Sequence, residues 1–325
     1  MGTPVPVLVA LDWGTTSQRA WLLDGSGGVL DARSADCGLL RVTSGIHPAD
    51  ADGRMRAYAA AYDALCGSWL AAHPGLPAVA CGMVGSAQGW ADAGYRTVPA
   101  APAPDRLVPV EHPAGPVHLV PGLRVPSTAD APGDVLRGEE TQVLGVLSAA
   151  PAARTVVLPG THTKWVRVED GLVTDFTTTV TGELYALELE HGILGRTAAA
   201  GAADPAAFAR GLGTGATSRG LQVELFGTRA LVLDGLLAPA AVPDYLSGVL
   251  LADELRHVLP RYAAGDEVVV CGGSDLAERY RTALAAHGVR ARVVDGEVVV
   301  HGLWTIALAS GLVPDNRGPL HEEHA

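Results

Sequence analysis

Small polar residues follow the first apolar segment of the chain in an arrangement suited to binding phosphate. Asp12 ends an apolar run, Gly14, Thr15 and Thr16 follow it, and Arg19 comes shortly after. A turn of glycine and threonine offers backbone N–H groups and hydroxyls without bulky side chains, and such concavities bind phosphate oxygens. Asp12 supplies the carboxylate oxygens that suit Mg²⁺, and the charge of Arg19 can face a phosphoryl group. We therefore expect an anion-binding turn with one metal-binding side chain.

A second polar turn occurs about halfway along the chain. Gly160, Thr161, His162 and Thr163 are followed by Lys164, which is the only lysine among 23 basic residues of the Lys and Arg types. Lysine and arginine are not interchangeable, because an ammonium is a compact point charge and a guanidinium is a wide planar fork. We therefore expect this lone lysine to lie near phosphate groups. The alternative is that its occurrence here is due to chance.

Two adjacent carboxylates are candidates for a general base. Residues 134–147 are predicted to form a helix with an apolar face that includes Leu136 and Val143, and Glu140 lies about 40° from the centre of that face. Glu139 lies about 60° to the other side. A carboxylate near a buried face needs a site or a partner. The alternative is that both glutamates are surface residues favoured by the dipole of the first helical turn.

Other residues could contact a small molecule. The candidates to line a substrate pocket are polar or aromatic residues in or near segments that end predicted strands: Trp13, Ser86, Gln88, Trp90 and Tyr95. Each aromatic residue could instead belong to the core. Gly272 and Gly273 follow a predicted strand over residues 268–271, where they would let a nucleotide approach the backbone, or form an ordinary tight turn.

The elements that position these residues occur twice. Apolar strands are predicted at residues 5–11, 20–23 and 29–32, and again at residues 155–158, 164–168 and 172–178. In both copies a Gly-Thr turn and a cationic residue separate the first two strands, which indicates an internal duplication. Strands and helices alternate along the rest of the chain, so the predicted class is α/β.

Composition limits the classes of partner. The chain has 325 residues, 48% of them hydrophobic, and a formal net charge of −12. That length suits about two domains, and the negative charge argues against nucleic acid or an anionic membrane as the main partner. No apolar run reaches the roughly 18 residues of a membrane span. Four scattered cysteines without a CxxC pair favour buried apolar residues in a reducing cytoplasm.

Five motifs together resemble those of the actin/hexokinase/Hsp70-type ATPases. LDWGTTSQRAWLLD and LPGTHTKWV resemble the two phosphate motifs, RGEETQVLG the interlobe helix, CGGSDLAERY the adenosine motif and HGLWTIALASGL the second interlobe helix. With GMVGSAQGW and YLSGVLLADEL added, the combination is similar to the 2-dehydro-3-deoxygalactonokinase family over nearly the whole chain.

The resemblance implies a fold and a reaction. It implies a two-lobed ribonuclease H-like fold with lobes at residues 1–148 and 149–325 and a nucleotide cleft between them. The implied reaction uses ATP and Mg²⁺ to phosphorylate the C6 hydroxyl of a 2-keto-3-deoxy sugar acid. Glu140 falls where related kinases place a catalytic Asp, with Glu139 as the alternative. Pro159 stands where many relatives have an Asp, so metal binding is expected from Asp12.

Several questions stay open at this level. The same fold could serve a kinase for another sugar, a phosphohydrolase, or a nucleotide-dependent binding module. Residues 86–90, Tyr95 and Arg19 are the candidates for holding the substrate, but the sequence does not indicate which group binds its carboxylate.

Overall fold

The computed structural model describes residues 4–217, 219–262 and 267–314, with the side chain of Ser274 excepted. In chain order the strands are β1 (Pro6–Trp13), β2 (Gln18–Asp24), β3 (Val29–Ala35), β4 (Ala78–Cys81), β5 (Tyr95–Thr97), β6 (Val108–Val110), β7 (Val117–Leu119), β8 (Gly122–Val125), β9 (Asp134–Leu136), β10 (Thr155–Leu158), β11 (Thr163–Glu169), β12 (Leu172–Thr179), β13 (Val268–Gly272) and β14 (Ala291–Asp295). The α-helices are α1 (Leu39–Val42), α2 (Ala51–Ala72), α3 (Glu139–Ala149), α4 (Thr181–Glu190), α5 (Pro205–Ala216), α6 (Leu221–Leu233), α7 (Val242–Tyr262), α8 (Ser274–Ala286) and α9 (Val298–Ala309). Within these ranges, no helix has the length and apolar character that a membrane span requires.

The first compact unit is built on a six-stranded sheet. Of the described residues it comprises 4–151, 171–173 and 297–314, and its strands lie in the order β3-β2-β1-β4-β7-β6. Strand β1 is antiparallel to β2 and parallel to β4. A smaller sheet in the same unit has the order β5-β8-β9.

Strand β1 is apolar throughout because helices cover both of its faces. Leu8 and Ala10 pack in a cluster with residues of α9, whereas Val9 and Leu11 pack in a cluster with residues of α2. Successive side chains of a strand point to opposite faces, so this continuous run of apolar residues fills two cores. The predicted strand at residues 5–11 is confirmed, although it begins one residue later and ends two residues later than predicted.

The second unit repeats this arrangement. It comprises residues 152–170 and 174–296, and its five-stranded sheet has the order β12-β11-β10-β13-β14. Val157 and Trp165 pack against Leu255 of α7 and Tyr280 of α8. In each unit, the first strand of the meander lies between the second strand and a parallel strand from later in the chain. The shared order agrees with the predicted duplication and confirms the α/β class.

The predicted helix at residues 134–147 is wrong at its start. Residues Asp134–Leu136 form strand β9, antiparallel to β8, and the helix begins only at Glu139. Gly138 separates the two elements with φ of +98°, a conformation that favours glycine. Leu136 therefore lies on a strand and not on the helix face from which the position of Glu140 was argued.

Helices α3 and α9 pack closely through glycine. A Cβ on Gly302 would lie 2.1 Å from the carbonyl oxygen of Thr141, and one on Gly145 would lie 2.0 Å from that of Val298. The two helices therefore contact each other through backbone. By its packing, α9 belongs to the first unit; the lobe boundary between residues 148 and 149 stays a prediction.

Adding one methyl group at this contact is expected to destabilise the first unit. Gly302→Ala forces α9 away from α3, and such overpacking lowers the free energy of unfolding by about 1–3 kcal/mol. Gly67→Ala in α2 is the matched control, because a Cβ there meets nothing within 4 Å. Urea denaturation of both variants measures the difference, and equal stability of the two would contradict this account of the helix contact.

Candidate active site

An ion pair marks the carboxyl end of strand β1. Asp12 and Arg19 are register partners on β1 and β2, and Nη2 of Arg19 lies 2.5 Å from Oδ2 of Asp12. The other carboxylate oxygen, Oδ1, is 3.9 Å from the thiol sulfur of Cys81 at the end of β4. Asp12 is largely buried, with 18% of its side chain exposed. Among the described residues, one oxygen of Asp12 is therefore held by Arg19, and the other has only a weak donor.

The turn after Asp12 is exposed and carries helix α1. Gly14, Thr15 and Thr16 accept hydrogen bonds through their carbonyl oxygens from the backbone N–H groups of Leu39, Leu40 and Gly38 at 3.0–3.1 Å. Gly38 has no space for a side chain, since a Cβ there would lie 2.4 Å from the backbone of Thr15 and Thr16. The predicted turn is thus present and its backbone is held by the segment that begins helix α1, while phosphate binding there stays a prediction.

The carboxyl group of Glu140 is wholly buried. It lies in the first turn of α3 with no exposed surface. Its Oε2 accepts a hydrogen bond from the backbone N–H of Gly138 at 2.7 Å, and its Oε1 accepts one from the Thr141 hydroxyl at 3.0 Å. Glu139 is partly exposed and accepts a hydrogen bond from the backbone N–H of Arg137 at 2.8 Å.

Two glycines bring Asp12 and Glu140 into one neighbourhood. A Cβ on Gly82 would lie 2.7 Å from the Trp13 carbonyl oxygen and 3.4 Å from Oδ1 of Asp12, and one on Gly138 would lie 3.0 Å from Cα of Gly82. Burial and the negative charges of both Asp12 and Glu140 raise the pKa of the Cys81 thiol between them. The structure therefore brings together two residues that the sequence analysis assigned to the metal and to the base.

Burial makes the carboxyl group of Glu140 a weaker acid. Removal from water raises the pKa of its carboxyl group from 4.5 to about 7, and the negative charge of Glu139 adds to this effect. The hydrogen bonds from Gly138 and Thr141 act in the opposite direction by stabilising the ionised form. A carboxyl group with a pKa near the working pH is suited to accept a proton from a hydroxyl.

The proposed substrate contacts divide into two groups. Trp13 and Trp90 are buried, with ring centroids 6.0 Å apart, and both pack against Tyr58 in the core. Gln88 and Tyr95 are exposed. The hydroxyl of Ser86 is buried and has no partner among the described residues. A role in substrate binding stays a prediction for all of them, and for the two tryptophans the structure shows a packing role.

The second polar turn lies against the start of helix α4. A Cβ on Gly182 would lie 2.2 Å from the carbonyl oxygen of Gly160, so the helix and the turn are in close contact. The carbonyl oxygen of Thr161 accepts a hydrogen bond from the backbone N–H of Glu183 at 2.9 Å. His162 is half exposed and pairs with Glu183, with Nε2 and Oε2 2.6 Å apart. Helix α4 thus directs its N-terminal N–H groups, the positive end of its dipole, toward this turn.

Thr163 and Lys164 lie on opposite faces of strand β11. Thr163 is buried and shares a hydrogen bond with the Tyr280 hydroxyl at 2.7 Å. Lys164 is opposite Leu158 in the register of β10 and β11 and is 6% exposed. The lone lysine is therefore an interior residue of the second sheet and not a surface decoration of the hairpin.

A cavity of about 370 Å³ opens beside this turn. Gly160, Thr161 and Gly182 form one part of its wall, and apolar side chains of α7 and α8, including Leu250 and Leu276, form another. All of its lining residues belong to the second unit. Gly272 and Gly273 are not among them; a Cβ on Gly273 would meet nothing within 4 Å.

The sequence analysis did not identify Glu254, which organises the interior beside this cavity. Its Oε1 accepts from the Trp165 indole at 2.7 Å, and its Oε2 accepts from the hydroxyls of Thr179, Thr181 and Tyr280. Burial raises the pKa of this carboxyl group, and the donors oppose the rise. The signal was available, because Glu254 lies at helical spacing from Leu250 and Leu251 on a buried face of α7.

Comparison with known proteins decides the family. The model of the 2-keto-3-deoxy-galactonokinase family matches residues 12–306. The chain belongs to the 2-keto-3-deoxy-galactonokinase family. The family predicted from the motifs is thereby confirmed, and the chain is a kinase.

Relatives of this family align along nearly their whole length. The probable 2-dehydro-3-deoxygalactonokinase DgoK1 of Rhizobium meliloti (strain 1021) is 36% identical over 309 residues, which cover 92% of this chain and 96% of that protein. The 2-dehydro-3-deoxygalactonokinase of Escherichia coli (strain K12) is 32% identical over 304 residues, which cover 93% of this chain and 97% of that protein.

Solved structures support the same fold. The crystal structure of a candidate 2-dehydro-3-deoxygalactonokinase from Sinorhizobium meliloti superposes with a TM-score of 0.78 at 33% identity, covering 92% of this chain and 98% of that chain. The activator of the 2-hydroxyisocaproyl-CoA dehydratase from Clostridium difficile, solved with ADPNP, gives a TM-score of 0.52 at 13% identity, covering 94% and 96%. The latter likeness concerns the fold alone and agrees with the predicted ribonuclease H-like class of this kinase family.

The raised pKa of Glu140 predicts how stability depends on pH. The folded protein retains the proton between pH 4.5 and about 7, where the unfolded chain has lost it. Stability should therefore fall as pH rises through this window, by about 3 kcal/mol for a shift of this size. Gln cannot ionise, so Glu140→Gln should gain stability relative to the wild type as pH rises.

Urea denaturation at several pH values between 4.5 and 8 measures this difference. Glu111→Gln is the control, because Glu111 is exposed and should follow the wild type at every pH. A constant difference in unfolding free energy between wild type and Glu140→Gln would show that the folded-state pKa of Glu140 is ordinary.

Proposed function

We propose that this kinase transfers the γ-phosphoryl group of ATP to the C6 hydroxyl of 2-dehydro-3-deoxy-D-galactonate, with Glu140 as the general base. Family membership supports the substrate class and the use of ATP. The observation that supports the base is a fully buried carboxyl group with a pKa of about 7 at the N-terminus of α3, in the neighbourhood of Asp12. We also propose that this sugar-acid kinase works in sugar catabolism in the cytoplasm.

In this proposal Glu140 takes one proton. The C6 oxygen attacks the γ-phosphorus, the bond from that phosphorus to the bridging oxygen breaks, ADP leaves, and the hydroxyl proton passes to a carboxylate oxygen of Glu140. Each carboxylate oxygen has two acceptor positions; the N–H of Gly138 occupies one on Oε2, and the hydroxyl of Thr141 occupies one on Oε1. The carboxyl group is covered in the structure, so the proposal requires its covering segments to move when the acceptor binds. Such access steps are common in kinases.

Asp12 fits a magnesium ion through one oxygen. Mg²⁺ is usually held by one or two carboxylates, substrate phosphates and water, and Oδ1 of Asp12 has only the Cys81 thiol at 3.9 Å. No group of three or more potential ligand side chains occurs among the described residues, which agrees with a site that relies on phosphate and water. The ion, when bound, neutralises phosphate charge. Arg19 holds the second oxygen of Asp12 and adds positive charge beside the Gly14–Thr16 turn.

The cavity of the second unit suits the nucleotide. Gly160, Thr161 and the N-terminal N–H groups of α4 are suited to phosphate, and the leucines of α7 and α8 are suited to an apolar base. Tyr280 and Thr181 contribute to the cavity wall and are held by Glu254. The proposal also assigns residues beside this cavity to the nucleotide. They are His162, Thr163 and Lys164 at the turn, and Gly272 and Gly273 at the end of β13.

The experiment is ADP release from ATP, with and without a panel of sugar acids. Strict dependence on 2-dehydro-3-deoxygalactonate is expected; release without any acceptor would favour a phosphohydrolase, and preference for another sugar would change the substrate. Glu140→Gln should lower kcat by about 10²–10⁴-fold with a modest change in KM. Glu139→Gln is the matched control, and a loss confined to that variant would move the base by one residue.

Lys164 provides a second test. A compact ammonium cannot be replaced by a planar guanidinium in a packed interior, so Lys164→Arg should lose activity although charge is retained. Lys164→Met should lose more, at least about tenfold in kcat/KM for ATP, equivalent to about 1.4 kcal/mol. Arg290→Met, at an exposed position of the same unit, is the control, and thermal midpoints report folding. Full activity of Lys164→Met would exclude a role for this ammonium.

A further inference from the structure

A second cavity lies in the first unit, beyond the carboxyl ends of strands β1 and β4. Its volume is about 240 Å³. Thr43 and His47, from the connection between α1 and α2, form one wall; Arg54 of α2 forms another; Gln88 forms a third. Ligands of open α/β sheets bind outside the carboxyl ends of the strands, which is where the segments that carry Thr43 and Gln88 emerge.

Two of these walls are continuous with the candidate active site. Thr43 ends helix α1, which three backbone hydrogen bonds attach to the Gly14–Thr16 turn. Gln88 belongs to the segment that leaves β4 through Gly82, the glycine in contact with Asp12 and Gly138. A molecule in the cavity is therefore bordered by the segments that position Asp12 and Glu140.

Arg54 gives the cavity its charge. Among the described residues no carboxylate lies within 4 Å of its guanidinium, which donates to the carbonyl oxygen of Pro48 at 3.3 Å. In a chain with a net charge of −12, a cation without an acidic partner beside a cavity is a candidate anion receptor. Planar guanidinium groups bind carboxylates through two parallel hydrogen bonds.

Buried polar atoms around Arg54 also lack partners in the described part of the chain. They are Nε of Arg54 and the hydroxyl of Tyr58, one turn later on α2. The amide of Gln18, wholly buried, also has none and faces the same side of the sheet as Trp13. Buried polar groups usually have hydrogen-bond partners, so unpartnered groups on this side of the sheet favour a polar ligand.

His47 adds a donor to the same wall. Its Nδ1 accepts a hydrogen bond from the backbone N–H of Ala49 at 3.2 Å, so the neutral ring carries its proton on Nε2. The hydroxyl of Thr43 donates to the Leu39 carbonyl oxygen at 2.8 Å and keeps its acceptor capacity. Together with the exposed amide of Gln88, the cavity offers groups for both a carboxylate and hydroxyls.

From this arrangement we infer that the cavity is the subsite for the acidic end of the substrate, with Arg54 binding the C1 carboxylate of the sugar acid. The inference rests on the proposed function for the identity of the substrate. It predicts that the kinase binds sugar acids more tightly than neutral sugars, because without a carboxylate Arg54 stays unpaired.

Two other arginines are less suited to this role. Arg19 is already paired with Asp12. Arg137 is buried, has Asp92 at 3.9 Å, donates to the Gly94 carbonyl oxygen and lies under the ring of Tyr95, with its guanidinium carbon 4.2 Å from the ring centroid. Unlike Arg54, neither lines this cavity.

Isothermal calorimetry in the presence of a non-hydrolysable ATP analogue tests the inference. The ligands are 2-dehydro-3-deoxygalactonate and its C1 carboxamide, which lacks the charge. Arg54→Met should raise the Kd of the acid by about 10- to 100-fold, since a hydrogen-bonded charge pair is lost, while the Kd of the amide changes little. Arg54→Lys should lie between wild type and Arg54→Met. Arg56→Met, at an exposed position of the same helix, should bind both ligands like the wild type.

Each other outcome overturns the inference. Unchanged binding of the acid by Arg54→Met, an equal loss for acid and amide, or no binding of the acid by the wild type would exclude a carboxylate subsite at Arg54. A loss of affinity for the ATP analogue instead would assign Arg54 to the nucleotide. Failure of the proposed function is distinguishable, because a wild type that binds the acid but releases no ADP refutes the phosphoryl transfer and leaves the subsite standing.

Discussion

The close approach of two glycines holds the candidate active site of the first unit together. Gly82 and Gly138 both have positive φ, and their backbones touch where β4 ends and α3 begins. This contact brings the first turn of α3, with Glu140, to the end of β1, with Asp12. Burying a carboxylate costs free energy unless it is hydrogen-bonded. Here the N–H of Gly138, the hydroxyl of Thr141 and the helix dipole supply that stabilisation. The residual cost of burial appears as a raised pKa, which is the property a general base needs.

The second unit also has a buried carboxylate beside its polar turn, but other groups stabilise it. Its turn at Gly160–Thr163 has the same place in the strand order as the turn after Asp12, but the carboxylate beside it comes from helix α7. Glu254 accepts four hydrogen bonds and so fixes Thr181 and Tyr280 at the cavity. A half-satisfied buried network would be unfavourable, and the Trp165 indole completes this one. The two units therefore share a strand order but place different carboxylates beside their turns.

Much of the fold could be predicted from the sequence, because apolar runs, turn residues and family motifs are local signals. The start of α3 could not, since it depends on the pairing of β9 with β8 and on the φ of Gly138. Glu140 is buried as expected, although its helix begins later than predicted, and its role as the base, taken from its family position, stays a prediction. Trp13 and Trp90 pack in the core, and their role as substrate contacts stays a prediction, because the type of an aromatic residue does not show which side it faces. The position of Glu254 on a buried face of α7 was a local signal, but its hydrogen-bond donors and the cavity at Arg54 come from residues far apart in the chain, which no local pattern brings together.

Direct titration of the Glu140 carboxyl group tests the central claim, that burial at the start of α3 produces a base poised near neutral pH. Isotope-edited infrared difference spectra of wild type and Glu140→Gln, recorded across a pH series with ¹³C-labelled glutamate, isolate this group from the other carboxylates. The account predicts that the spectrum of the wild type contains one carboxyl signal that is absent from the variant, and that the group giving this signal ionises with a pKa of about 7. Ionisation of that signal near the ordinary value of 4.5 would contradict it, since Glu140 would then be solvated and no better suited to accept a proton than a surface glutamate.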